Sequence, residues 1–207
     1  MKQSKIEDAV ITLKKYIKKL SSNINFPHHE WFIKYHIRIV EKIALELCHA
    51  YPSADKNLVI ATVWFHDYGK LIDFKNEHRV TQESGLSRMV DLGLSTAFAK
   101  RVLESINVID TKKGLRNASI ETKIVSSADG ASHLVGPFFA LHWRDNPNTA
   151  IEKLIAENKR KLLVDWNRKI VLPEVKKAFE ARYIFLEEHL SGKLPNSFKL
   201  TRSRQID

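Results

Sequence analysis

The stretch WFHDYGK, residues 64–70, closes an apolar run that extends from Leu58 to Phe65. It sets a histidine and an aspartate side by side at the end of a segment whose other residues suit a protein core. A carboxylate next to such a face costs free energy unless it is paired or bound to a metal. A His-Asp pair alone is weak evidence of a site, so its meaning depends on partners elsewhere in the chain.

Apolar residues recur with the three- and four-residue spacing of α-helices through nearly the whole chain. Only seven glycines and six prolines occur among 207 residues, which argues against a turn-rich sandwich or barrel. No stretch alternates with the two-residue period of a strand, and no internal repeat is present. The sequence therefore predicts an all-α, single-domain helical bundle over residues 1–192, followed by a basic, flexible tail at 193–207.

Local signals predict several helix boundaries. Residues 73–81 are predicted to form a polar connection before a helix at 82–92. Helix starts are predicted at Ser95, a suitable N-cap, and at the Thr149–Glu152 capping box. Pro173 is predicted to break or kink the long helical region near the C-terminus.

The net charge is +10 and the pI is about 9.6. The basic residues are scattered, as expected of solvated helix surfaces, and they form no recognisable nucleic-acid motif. The excess charge favours negatively charged small substrates. Charge is the only feature that suggests nucleic-acid binding, which is therefore the weakest functional hypothesis. The single cysteine, Cys48, excludes an internal disulfide framework and suits a reducing cytoplasm. No apolar run is long enough to span a bilayer, and the N-terminus reads as a helix rather than a signal peptide.

Two histidines lie on apolar helix faces. His36 has Phe32 four residues before it and Val40 four residues after it, a position where a hydrogen-bonded core histidine is the commoner outcome. His66 follows a similar stripe, and the adjacent Asp67 makes a bound ion a stronger alternative. Neighbouring helical residues point about 100° apart, so both can reach one ion only at a helix end.

Asp129 is the third unusual residue. It follows Ala128 in the small-residue stretch SSADGAS at 126–132, which leaves room for a neighbouring helix or for an ion with its substrate. Two imidazoles and two carboxylates from three helices would form a plausible divalent-metal site. Mixed nitrogen and oxygen ligands suit Mn, Fe, Co, Ni or Zn, and Mg is also acceptable.

The motifs YHIRIVEKIA, VWFHDYGK and IVSSADGASHL resemble, in this order, the signature H…HD…D of the HD-domain superfamily of metal-dependent phosphohydrolases. The resemblance covers roughly residues 30–190 and implies an HD-type helical bundle. Its motif-bearing core would span about 30–140, and its C-terminal helices about 148–191. The metal ligands implied by the resemblance are His36, His66, Asp67 and Asp129.

The sequence departs from the binuclear members of that superfamily, which carry two further histidines between the HD pair and the last aspartate. His78 is a candidate for the first of these positions. Ile109, followed by Asp110, stands where the second histidine is expected. One metal ion is therefore expected rather than two, and Glu83 is an alternative acid/base group.

The resemblance implies hydrolysis of a phosphoester in a nucleotide or another small phosphorylated metabolite. Asp67 would both ligate the ion and orient the attacking water, and Lys70 would neutralise phosphate charge. The alternative is a degenerate HD domain that serves as a ligand-binding or regulatory module. Four other histidines are predicted to be structural or surface residues, and His28–His29 a solvated helix lead-in. The four are His49, His133, His142 and His189.

Overall fold

A computed structural model describes residues 3–194, and this range is helical without any strand. The all-α, single-domain prediction is confirmed. Residues 195–207, most of the predicted basic tail, lie outside the described range. The helices are α1 (Gln3–Ser21), α2 (Arg38–Ala50), α3 (Lys56–Phe65), α4 (Tyr68–Ile72), α5 (Glu77–Asp91), α6 (Thr96–Thr111), α7 (Ile120–Ser132), α8 (Phe138–Asp145), α9 (Ile151–Val164) and α10 (Pro173–Ser191).

Two short π-helical segments interrupt this pattern. One, Ile33–Ile37, leads into α2, and the Arg38 N–H bonds the Ile33 carbonyl five residues back. The other, Asp165–Lys169, follows α9, and the Ile170 N–H bonds the Asp165 carbonyl at 2.9 Å. Such segments hold one more residue per turn than an α-helix and are frequent at functional sites.

Helix α7 lies at the centre of the bundle. Ten of its thirteen residues are buried, and it packs against α2, α3, α6, α10 and the second π segment. The small side chains at 126–132 were predicted to leave room for a neighbour, and in the structure the chain after α9 packs closely against them. A Cβ at Gly130 would lie 3.0 Å from Ile170 Cγ1, and the Ser127 hydroxyl accepts hydrogen bonds from the Val171 and Leu172 N–H groups. The chain after α9 is thereby fixed against α7.

The apolar core is continuous from α1 to α10. A smaller cluster of Leu134, Phe139, Leu162 and Leu190 adjoins the main core. The side chains of Trp166 and Phe179 pack against both parts, which makes the described chain a single folding unit. No helix in residues 3–194 has the length and apolar character required to cross a bilayer.

The predicted helix boundaries are only partly correct. Ser95 caps α6 by accepting the Phe98 N–H, as predicted. Helix α5 starts at Glu77, five residues before the predicted start. The prediction missed its first turns because they are mostly solvent-exposed and carry no apolar stripe. The prediction of a capping box at Thr149–Glu152 is wrong, because α9 starts at Ile151 and has no side-chain cap. The long helical region is broken before Pro173, one of the two predicted outcomes, because Pro173 begins α10, where its missing N–H costs nothing.

Helix α4 is held in place by a close backbone approach at Gly69. The Gly69 N–H donates to Thr81 Oγ1 at 3.1 Å, and a Cβ there would lie 1.8 Å from the Glu77 carbonyl oxygen. Gly69→Ala should therefore destabilise the protein by the roughly 1–3 kcal/mol typical of overpacking, measured by urea unfolding. Gly85→Ala is the matched control, because its new Cβ meets only the side chains of Leu103 and Phe65, at 3.0 and 3.1 Å. An equal loss in both variants would contradict this account.

Candidate metal centre

His66 stands at the end of α3, where its backbone N–H still bonds the Thr62 carbonyl. Asp67 lies between α3 and α4 with φ −104° and ψ 17°. The helix therefore ends at the His-Asp pair, as is required for two neighbouring residues to reach one ion. The His66 Nδ1–H donates to the Val63 carbonyl at 2.7 Å, which we infer from the acceptor it faces. With its proton on Nδ1, a neutral His66 presents a bare lone pair at Nε2.

His36 is oriented in the same way by α7. The Ser132 hydroxyl donates to the Asp129 carbonyl at 2.7 Å, so its oxygen accepts the Nδ1–H of His36 at 3.3 Å. The Nε2 atom of His36 is therefore also a bare acceptor. A partner that fixes the tautomer in this manner is the usual companion of a metal-binding histidine.

Four acceptor atoms converge at the bottom of a cavity. His36 Nε2 lies 3.4 Å from His66 Nε2 and 3.2 Å from Asp67 Oδ2. Asp129 Oδ1 lies 3.7 Å from the first imidazole nitrogen and 3.8 Å from the second. Ligand atoms about 2.1 Å from a tetrahedral or octahedral ion are separated by roughly 3.0–3.4 Å where they are adjacent, so the donor set fits a divalent cation after small shifts.

Both carboxyl groups are ionised at neutral pH. Burial by itself would raise the pKa of Asp67, but the neighbouring positive charge, including that of Lys70, outweighs it and holds this pKa well below its usual range. Burial likewise opposes ionisation of Asp129, and Lys169 and His133 hold its pKa well below the usual range. Burial also lowers the pKa of His36, which favours the neutral, metal-binding imidazole. The imidazole nitrogens and the inner carboxylate oxygens therefore face one another in a buried space, an arrangement that a cation would stabilise.

A lysine holds the outer oxygen of each carboxylate. Lys70 Nζ lies 2.8 Å from Asp67 Oδ1, and Lys169 Nζ donates to Asp129 Oδ2. The inner oxygens, Oδ2 of Asp67 and Oδ1 of Asp129, are left for the centre. Lys169 is itself positioned by the second π segment, whose carbonyl at residue 169 accepts the Ser126 hydroxyl at 3.0 Å.

A second group of ionisable side chains, His133, Lys161 and Asp165, borders the centre. The ring of His133 stacks on that of His36, with centroids 5.1 Å apart and planes within 6°. Asp165 Oδ1 accepts from Lys161 Nζ at 2.6 Å, and both Asp165 Oδ2 and Lys161 Nζ lie 2.9 Å from His133 Nδ1. Burial and the Lys161 charge lower the pKa of His133 to about 4, while His133 and Lys161 overcome burial and lower the pKa of Asp165 to about 2.

The cavity above these groups has a volume of about 500 Å³. Aromatic side chains of Trp31, Phe74 and Phe138 form part of its wall. His28, predicted to be a solvated lead-in, also lines the cavity, and its Nδ1 lies 2.7 Å from Asp145 Oδ2. The Trp31 indole N–H donates to the same oxygen at 2.7 Å, which fixes this wall.

Two predicted site residues are not brought to the centre. Glu83 lies on the exposed face of α5 and pairs with Arg79 at 3.0 Å. His78 is exposed on the same helix, and its Nδ1 lies 3.2 Å from Asp110 Oδ2. Asp110 lines the cavity, whereas Ile109 is buried in the core. Within residues 3–194, the group of close metal-binding donors comprises His36, His66 and Asp129, with Asp67 beside them.

Sequence reasoning missed four residues at this site. His133, predicted to be structural or surface, is buried beside the centre, and its spacing of four residues from Asp129 could have revealed a shared helix face. The four-residue spacing between Lys161 and Asp165 offered a similar signal. Lys169 offered none, because its approach to Asp129 depends on the π segment.

Comparison with known proteins does not assign the chain to a family. The chain matches no protein-family model, no curated protein and no solved structure. A functional assignment therefore depends on the side chains themselves.

Proposed function

We propose that this protein is an HD-type, metal-dependent phosphohydrolase that acts on a nucleotide or another small phosphorylated metabolite. The observation that carries the proposal is the convergence of two imidazole nitrogens and two carboxylate oxygens, each of which lies within 3.8 Å of at least two of the others. The order of these residues along the chain also matches the H…HD…D signature. A reducing, cytoplasmic compartment suits the lone buried thiol of Cys48.

The proposed centre takes one divalent ion. A mixed nitrogen and oxygen donor set suits Mn, Fe, Co, Ni or Zn and is less typical of Mg. A second ion finds no histidine where binuclear members have one, since Ile109 is buried in the core and His78 is engaged by Asp110. The residues that would hold the single ion are His36, His66, Asp67 and Asp129.

A bound divalent ion supplies Lewis acidity, which polarises a phosphoryl oxygen and makes water acidic enough to serve as a nucleophile near neutral pH. The chain contributes orientation and charge. Lys70 fixes Asp67 so that Oδ2 faces the centre, and it lines the cavity where phosphate would sit. Burial opposes its charge, but Asp67 and Glu77 raise the pKa of Lys70, so the ammonium stays protonated. It is therefore available to neutralise phosphate charge.

The charges around the cavity favour a phosphate monoester. The lining holds five basic side chains and five carboxylates, which balance when the histidines are neutral. A divalent ion would leave an excess of two positive charges, and a monoester carries about two negative charges at neutral pH whereas a diester carries one. The basic residues are Lys70, Lys112, Arg160, Lys161 and Lys169, and the acidic residues are Asp67, Glu77, Asp110, Asp129 and Asp165.

A second candidate function is a degenerate HD domain that binds an anionic ligand without turnover. The ion pairs of Lys70 with Asp67 and of Lys169 with Asp129 favour it, because these ammonium groups already offset the charge of both carboxylates. In that case the cluster would tolerate the absence of an ion. The two functions differ in metal uptake and in catalysis.

Purified protein should be depleted with a chelator, reloaded with each of Mn, Fe(II), Co, Ni, Zn and Mg, and assayed for bound metal after gel filtration. Loaded protein should retain about one ion per chain and hydrolyse p-nitrophenyl phosphate faster than bis(p-nitrophenyl) phosphate, and chelator should abolish both rates. Retention of an ion without hydrolysis of a broad phosphoester panel would favour the degenerate domain. Failure to retain any of these ions would remove the phosphohydrolase proposal.

A further inference from the structure

The basic side chains around the cavity differ in how they are paired. Lys70, Lys161 and Lys169 each have a carboxylate oxygen within 4.0 Å. Lys112 has none among residues 3–194, and its Nζ donates to the backbone carbonyl of Asp110 at 2.7 Å. An ammonium group has three donors, so Lys112 retains capacity for an incoming acceptor.

The backbone of Lys112 is strained. It ends α6 in the left-handed conformation, with φ 59° and ψ 8°. Within residues 3–194 it is the only residue other than glycine with positive φ. Glycine is the usual residue at such a helix end, because a Cβ crowds the backbone there. Residues with a strained backbone are frequent at active sites and ligand-binding sites.

The ammonium of Lys112 is also only partly hydrated. Burial lowers the pKa of Lys112, and the nearby charge of Lys169 lowers it further. A desolvated cation without a carboxylate partner gains more from an anion than a solvated one does. Arg160 also lacks a carboxylate partner in the described chain, but it is exposed. Lys112 is therefore the stronger anion-binding candidate.

We propose that Lys112 binds the phosphate group of the substrate, and that a lysine occupies this left-handed helix end because it brings an ammonium group into the cavity. This inference rests on the proposed function, since the same cavity must accept a phosphate. It predicts opposite effects of one substitution. Lys112→Gly relieves the backbone strain and should raise the melting temperature, yet it removes the cation and should weaken phosphate binding.

The test uses the full, metal-loaded chain and inorganic phosphate as the probe, with affinity measured by isothermal titration calorimetry. Lys112→Gly should weaken phosphate binding by about tenfold or more, the loss expected for one charge-assisted hydrogen bond. Lys112→Met should weaken binding similarly without raising the melting temperature, because the left-handed strain remains. Lys113→Gly is the matched control, since it removes an equal charge from the exposed neighbouring residue and should leave affinity unchanged.

The outcomes separate this inference from the function on which it rests. If wild-type protein takes up metal and hydrolyses phosphoesters while both Lys112 variants bind phosphate as tightly as wild type, the role of Lys112 is wrong and the function stands. If wild-type protein binds neither metal nor phosphate, both proposals fail. A melting temperature that falls in Lys112→Gly would overturn the explanation of the strained backbone.

Discussion

Substitution of His66 by alanine should abolish metal binding at micromolar metal and reduce phosphoester hydrolysis to background. The change removes one of four donors and leaves Asp67 and Asp129 without the geometry needed to hold an ion. The loss of metal affinity should exceed the roughly 10- to 100-fold typical of residues that only support a ligand. Metal content and kcat/KM for p-nitrophenyl phosphate are the measurements.

His49→Ala provides the matched control, because His49 is an exposed histidine on the neighbouring helix α2. It should bind metal and hydrolyse phosphoesters as wild type does. Thermal unfolding gives a reading that does not depend on activity. Added metal should raise the melting temperature of wild type and of His49→Ala but not of His66→Ala, since a ligand stabilises only a protein that binds it. Equal stabilisation of all three proteins would exclude His66 as a ligand.

Asp165→Ala should produce the largest loss of stability. Asp165 is fully buried, accepts from Lys161 Nζ and lies 2.9 Å from His133 Nδ1, so its removal leaves the Lys161 ammonium without a carboxylate partner. Breaking a buried pair commonly costs about 3–5 kcal/mol, and the partial exposure of the Lys161 side chain places the expected loss near the lower end. Urea unfolding in excess chelator measures this loss without any contribution from bound metal.

The pH dependence of that loss follows from the sign of the shift. The pKa of Asp165 is lowered to about 2 in the folded protein, below its ordinary value near 4. Its stabilising contribution is therefore complete above about pH 4 and declines as the pH falls toward 2. The difference between wild type and Asp165→Ala should shrink over that interval.

A second substitution tests the physical cause. Asp165→Ala combined with Lys161→Met should recover part of the lost stability, because the unpaired ammonium group is gone. No recovery in the double variant would indicate that lost packing, rather than an uncompensated charge, causes the effect.

The helical class and the burial of the two imidazoles could be predicted from the sequence because they depend on local spacing. The apolar stripes on both sides of His36 and before His66 predict buried imidazoles, and Gly69 indicates a helix end at the HD pair. The distance between His36 and Asp129 could not be predicted in this way. These residues are separated by more than 90 positions, and only the packing of α2 against α7 brings them together.

The missed features share a physical cause. Periodicity detects the apolar face of a helix, so it overlooked the exposed first turns of α5 and the short helix α4. It also assumes 3.6 residues per turn, so neither π segment could be recognised. Lys169 lies in the second of these segments, which explains why the charge that supports Asp129 was not predicted.

The π segment at Ile33–Ile37 has an evolutionary consequence. Ile37 is the segment residue that lies between His36 and α2, so deleting it would shift His36 by one helical position, a rotation of about 100° about the helix axis. Loss of this one codon would carry the imidazole away from Asp129. A single mutational event could thus remove a donor from the proposed metal centre.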